Sequence, residues 1–228
     1  MVVYAGSLIN PELLELTRPG CSLYNSAKMT LEEVLSILQQ AEREGKTAVR
    51  LHTGDPCLYG AIREQMDALD ALGIPWAVCP GVSSFCGAAA ALGAEYTLPG
   101  VSQSVIITRM AGRTPVPERE SIAALAAHGS TMVVFLSAGL LEGLQAQLME
   151  GGYAPDTPAA IVYKATWPEE KVLRCQVSSL AKTAQENGVD RTALILVGRF
   201  LEGSYDRSRL YDPTFTTGYR QGKDGAEA

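Results

Sequence analysis

Histidine is nearly absent: His52 and His128 are the only two in 228 residues. Cysteine is sparse and follows no paired pattern. Cys21, Cys57, Cys79, Cys86 and Cys175 are odd in number and contain no Cys-x-x-Cys. Tetrahedral metal sites need sets of such ligands, so no metal is expected. The thiols read as reduced groups of a cytoplasmic protein. Basic residues are outnumbered, 19 against 25 acidic, for a net charge of −6 and a pI near 5.0. That balance lacks the basic footprint with which proteins grip nucleic acid. No apolar run is long enough to cross a bilayer, so no membrane partner is expected. The opening residues, "MVVYAGSLINPELL", lack the charged, apolar and cleavage regions of a secretion signal. There is no Walker loop and no G-x-G-x-x-G, which leaves a phosphate-first nucleotide site or a dinucleotide dehydrogenase without support.

What remains is a globular composition, 46% hydrophobic and 19% charged, in a chain long enough for one large domain or two ordinary ones. Strand and helix patterns alternate along it. Val2–Ala5 is a short strand. Thr30 and Glu33 form a capping box, and Leu31, Val34, Leu35, Leu38 and Ala41 mark one helical face up to Gly45. A strand follows at Thr47–His52, a helix at Ala61–Leu72, a buried strand at Trp76–Cys79 and an alanine-rich helix at Ser84–Leu92. This alternation argues for a parallel α/β sheet.

Regular patterning lapses over Gly93–Gln103, which sets the expected domain division at 1–98 and 99–228. The second half predicts strands at Ser104–Thr108 and Thr131–Leu136, then a hairpin of Ala159–Lys164 and Lys171–Val177, then a strand at Thr192–Gly198. Helices are expected at Arg119–His128, Leu140–Met149 and Leu180–Glu186. The hairpin makes this half a mixed sheet. The terminal "GKDGAEA" is expected to be disordered.

Two glycine turns stand out, "HTGDP" at His52–Pro56 and "PGVSS" at Pro80–Ser84. Each ends a predicted strand, and ligands of open α/β sheets sit beyond the carboxyl ends of strands. Gly54 admits close approach to its backbone, Asp55 can accept hydrogen bonds, and Pro56 stiffens the turn. Ser83 and Ser84 offer hydroxyls and amides at a helix start. Together they describe a pocket for a polar ligand. The same residues also dominate ordinary turns, and local sequence leaves the two readings level.

The segments "HTGDPCLYGAIREQMDAL", "CPGVSSFCGAAAALG", "QSVIITRMAGRTPVPE" and "VYKATWPEEKV", in this order and spacing, resemble the tetrapyrrole methylase family from about Val2 to Arg220. The resemblance implies two α/β domains, usually in a homodimer, with S-adenosyl-L-methionine held in the cleft between them. It implies transfer of the cofactor's methyl to a carbon of a reduced corrinoid precursor, leaving S-adenosyl-L-homocysteine. Gly54, Asp55, Leu58, Ser83, Ser84, Leu136 and Ala165 would contact the cofactor. Without the resemblance, Leu136 reads as a core leucine. The acceptor would be a polycarboxylate, and Arg109, Arg113 and Lys164 fall at predicted strand ends or loops where they could pair with it. Each reads equally as a solvated surface charge. His52 reads as a packed strand-end histidine.

The family pattern begins with a strand and a G-x-G-P-G-D-P loop before the equivalent of "VVYAGSLIN". Here that strand and loop do not precede Val2, so the resemblance predicts an exposed edge in the first sheet. It also assigns no catalytic acid or base, since Ala5 stands where some relatives carry an acidic residue. A non-catalytic holder of the cofactor or of a tetrapyrrole is the rival reading. The intact glycine turns weigh against it.

Overall fold

The computed structural model describes residues 1–223. The expected disorder of the last residues falls mostly outside that range. The chain forms two compact units, Met1–Gly87 and Ala88–Ala228.

In the first unit, β1 (Val2–Tyr4), β2 (Leu23–Asn25) and β3 (Val49–Leu51) form a parallel sheet in the order β2-β1-β3. Val3 lies opposite Tyr24 on one side and Arg50 on the other. Helix α1 (Leu31–Arg43) begins at the expected capping box. Thr30 N donates to Glu33 Oε2 at 2.7 Å, and Glu33 N donates to Thr30 Oγ1 at 3.3 Å. Its buried Val34 and Leu38 pack with Val3 and with Leu69 of α2 (Arg63–Ala71).

Two expectations change here. Helix α2 starts at Arg63 rather than Ala61, because Tyr59 and Ala61 both adopt positive φ (58° and 49°). A residue in that conformation cannot join a right-handed helix. Residues 76–79, expected as a buried strand, make no ladder. Trp76 and Val78 are 42% and 45% exposed, and the Trp76 indole N–H donates to Asp70 Oδ1 at 2.8 Å. Val49 N donates to Met1 O and Leu51 O accepts from Ala5 N, so β3 spends these groups on β1. Its main chain at Arg50 therefore faces the sheet edge, with no strand paired there among the described residues. Residues 76–79 do not pair with that edge, so their apolar run has the pattern of a strand without a ladder.

Helix α3 (Ser84–Leu92) spans the division between the units, and its last carbonyl, Leu92 O, accepts from Arg174 Nη2 at 2.8 Å in the second unit. The segment 93–103, where sequence places the boundary, also packs there. Thr131 Oγ1 donates to Tyr96 O, Asp206 N donates to Pro99 O, and the Tyr96 ring meets Phe200 edge-on at 5.1 Å.

The second unit holds β4 (Val105–Arg109), β5 (Thr131–Phe135), β6 (Pro158–Tyr163), β7 (Lys171–Gln176) and β8 (Ala193–Val197) in the order β4-β5-β8-β6-β7. β4 and β5 are parallel; β8 runs antiparallel to β5 and β6, and β6–β7 is the expected antiparallel pair. Helices α4 (Ile122–Ala126), α5 (Leu141–Glu150) and α6 (Leu180–Glu186) contribute Ile122, Leu144, Leu148 and Leu180 to a core with Met132, Val134, Ile161 and Ile195. Val133, Ala160, Val162 and Leu196, which alternate with these, are buried as well, so the central strands are covered on both faces. Helix α4 is shorter than expected because Ser121 has an extended ψ of 152° and caps it, accepting from Ala124 N at 3.2 Å.

The core predicts a specific sensitivity. Leu144 is fully buried, and Leu144→Ala should destabilise the protein by about 2–5 kcal/mol. Thermal denaturation checks this; an unchanged melting temperature would mean that the helix layer is not packed as described.

Candidate functional site

In the first unit the two glycine turns are brought together. Asp55 is the link: its Oδ1 accepts from Cys57 N at 2.8 Å within its own turn, and its Oδ2 accepts from Gly81 N at 2.9 Å in the other. The Cys57 side chain first, then these backbone N–H groups of Cys57 and Gly81, hold the Asp55 carboxyl below the usual carboxylate range. Glycine is required on both sides. A Cβ on Gly81 would stand 2.1 Å from Gly54 O, and one on Gly54 would stand 3.2 Å from Ser83 Cα and 3.3 Å from Ser84 N. Gly54 also has φ +61°, a conformation that strains other residues. Leu58 N closes the first turn onto Asp55 O at 3.3 Å. Ser83 is buried, and Ser84 opens α3. Gly54, Asp55, Leu58, Ser83 and Ser84 thus share one cluster of backbone turns.

His52 precedes this cluster at the end of β3. Its Nε2 is buried with no hydrogen-bond partner among the described residues. Burial and then the Arg50 charge push its pKa down, so the ring is neutral near pH 7. Arg50 is itself engaged, with Nη1 donating to Val3 O at 2.9 Å and Nε donating to Gln65 Oε1 at 3.2 Å.

In the second unit, the strand register gathers the remaining residues on one rim. Arg109 pairs with Phe135, and Tyr163 pairs with Ala193. The carboxyl ends of β4, β5 and β6 and the start of β8 therefore lie side by side. Three of these termini carry non-glycine residues at positive φ: Leu136 (52°), Lys164 (47°), Thr166 (70°) and Thr192 (51°). Leu136 is 62% exposed, so it is not a core leucine. Ser137 beside it is fully buried; its Oγ donates to Phe135 O and accepts from Met110 N. Ala165 sits between Lys164 and Thr166.

The three cations are placed differently from one another. The Arg109 guanidinium donates to Met110 O, Thr114 O and Pro115 O at 2.8–3.2 Å, which ties down the loop after β4. Arg113 is exposed on that same loop. Lys164 lies at the end of β6, with β5 and β8 between it and β4. Its side chain is 21% exposed, Nζ is 3.4 Å from Glu169 Oε1, and the Trp167 and Tyr163 rings lie 4.9 and 5.6 Å away. Sequence reasoning passed over Gly81 and Thr192. The dipeptide Pro80-Gly81 carried a turn signal. Thr192 carried none, because positive φ in a β-branched residue has no local sequence signature.

A group whose carboxyl pKa is depressed by folding adds stability above its ordinary value, and that stability is lost as pH falls through the depressed one. The melting temperature of the wild type should therefore fall more steeply below about pH 4 than that of Asp55→Asn. Parallel curves would show that the bridge between the turns contributes nothing.

Residues 1–181 match the family described as Tetrapyrrole (Corrin/Porphyrin) Methylases. The chain is 47% identical over 222 residues to the cobalt-precorrin-4 C(11)-methyltransferase of Methanocaldococcus jannaschii, covering 97% of this chain and 86% of that protein. It is 41% identical over 220 residues to a precorrin-4 C(11)-methyltransferase of Sinorhizobium sp, covering 96% and 87%. An X-ray structure of a cobalt precorrin-4 methyltransferase superposes with a TM-score of 0.86 at 44% identity, covering 88% of this chain and 84% of that one. The chain belongs to the tetrapyrrole (corrin/porphyrin) methylases, a family of S-adenosyl-L-methionine-dependent methyltransferases.

Proposed function

We propose that this chain transfers the methyl group of S-adenosyl-L-methionine to C11 of cobalt-precorrin-4 in cobalamin biosynthesis. Two lines support the reading: the higher identity to the cobalt-precorrin-4 relative than to the precorrin-4 relative, and the turn cluster around Asp55. The observation that carries it is the close approach of Gly81 to Gly54, held by the Asp55 carboxylate accepting from Gly81 N.

The residues fit the cofactor's chemistry. Backbone groups at Gly54 and Asp55 and the hydroxyls of Ser83 and Ser84 would hold its polar parts, and Leu58, Leu136 and Ala165 would take its apolar surface. When bound, the cofactor supplies a methyl group already activated by a sulfonium. The protein's part is then to bind, orient and exclude water, and orientation can supply much of the acceleration. Arg113, exposed on the loop that Arg109 secures, would meet a tetrapyrrole carboxylate, with Lys164 on the same rim. Neutral His52 would add an uncharged polar group near the turn. No residue is assigned as catalytic acid or base. We further propose a cytoplasmic homodimer; exposed Leu210, Tyr211 and Tyr219 supply apolar surface for a second copy.

Incubation with S-adenosyl-L-methionine and cobalt-precorrin-4 should yield a singly methylated product and S-adenosyl-L-homocysteine, read by mass spectrometry. Gly81→Ala should lower methyl transfer by roughly 10²-fold, since its Cβ forces the two turns apart. Methylation of cobalt-free precorrin-4 alone would reassign the acceptor. No methyl transfer to either acceptor would refute the reading.

A further inference from the structure

The motif "YKATWPEE" closes the hairpin between β6 and β7, yet only Ala165 and Lys164 in it have so far been given a role. Tyr163 pairs with Lys171, so residues 164–170 form the loop. Ala165 lies between two residues in the left-handed region, Lys164 at φ +47° and Thr166 at φ +70°. Non-glycine residues stay there only when their surroundings over-determine them. Two contacts supply that constraint. Lys164 N donates to Thr192 O at 2.8 Å, and Thr166 N donates to Glu170 Oε2 at 2.6 Å. Trp167 N to Lys164 O and Glu170 N to Trp167 O, both 3.0 Å, complete the turn. The neighbouring carboxylate does something else: Glu169 faces Lys164 Nζ.

We propose that Glu170 is a positioning residue for the cofactor. Its carboxylate holds the Thr166 N–H, and with Thr192 O on the other side fixes the peptide on which Ala165 is presented. The bond is between a charged acceptor and a backbone donor, the stronger kind. Without it, Thr166 N–H turns to water and Thr166 relaxes to negative φ, which swings the Ala165 peptide. The inference rests on the cofactor reading above, and deepens it by naming what preorganises one contact.

Calorimetry with S-adenosyl-L-homocysteine tests it, using wild type, Glu170→Ala, Glu170→Gln and Glu169→Ala. Glu170→Ala should weaken binding by roughly tenfold and raise KM for S-adenosyl-L-methionine more than it lowers kcat. Its melting temperature should move by no more than about 2 °C, because Glu170 is exposed. Glu170→Gln keeps an acceptor oxygen and should recover most of the affinity, and Glu169→Ala should bind as the wild type does. Unchanged affinity in Glu170→Ala would overturn the proposal, as would equal losses in Glu170→Gln or Glu169→Ala. A wild type that binds neither ligand would instead overturn the cofactor reading and this proposal with it.

Discussion

The Asp55 carboxylate accepts backbone N–H groups from two different turns, and the geometry of the first unit's site depends on it. Each oxygen serves one turn, so the two glycine segments are held at a fixed separation by a single side chain. That separation is so short that a Cβ on Gly81 would stand 2.1 Å from Gly54 O, and one on Gly54 would crowd Ser83 Cα at 3.2 Å. The Gly-Asp-Pro triplet therefore has a division of labour. Glycine lets the turns approach, aspartate holds them, and proline limits the backbone freedom of the residue that follows the carboxylate.

The second unit reaches a comparable end by a different route. It places leucine, lysine and threonines in left-handed conformations at adjacent strand ends. Each such residue costs on the order of 1–3 kcal/mol. A core with Leu144, Leu148, Ile161, Ile195 and Leu196 fully buried offsets that strain. Leu136 shows the arrangement most plainly: an exposed leucine at positive φ, next to a serine that is buried and doubly hydrogen-bonded. Burial of Ser137 anchors the chain so that Leu136 is turned outward.

Sequence made the start of α1, the hairpin and the glycine turns legible, because each rests on a local rule. The Thr30–Glu33 box and the alternation of strands with helices are examples. Leu136 and Ala165 came only through resemblance, because their roles depend on which strands are neighbours in the sheet. The run at 76–79 misled for the same reason. Its apolar pattern satisfies a strand, but pairing is a property of the sheet and not of the four residues. Ala61 misled through conformation: alanine favours helix, yet the turn after Pro56 sets it at positive φ. Glu170 lay outside any local rule, since a glutamate that reaches back four residues to a backbone N–H in a turn looks like any solvated charge.

The central proposal is that the turn cluster around Asp55 in the first unit holds the cofactor. Amide hydrogen exchange with and without S-adenosyl-L-homocysteine tests this most directly. The account predicts slower exchange on ligand addition in residues 54–58 and 81–84, with little change in α1 or α6. Protection confined to other segments, with none in 54–58 and 81–84, would contradict it.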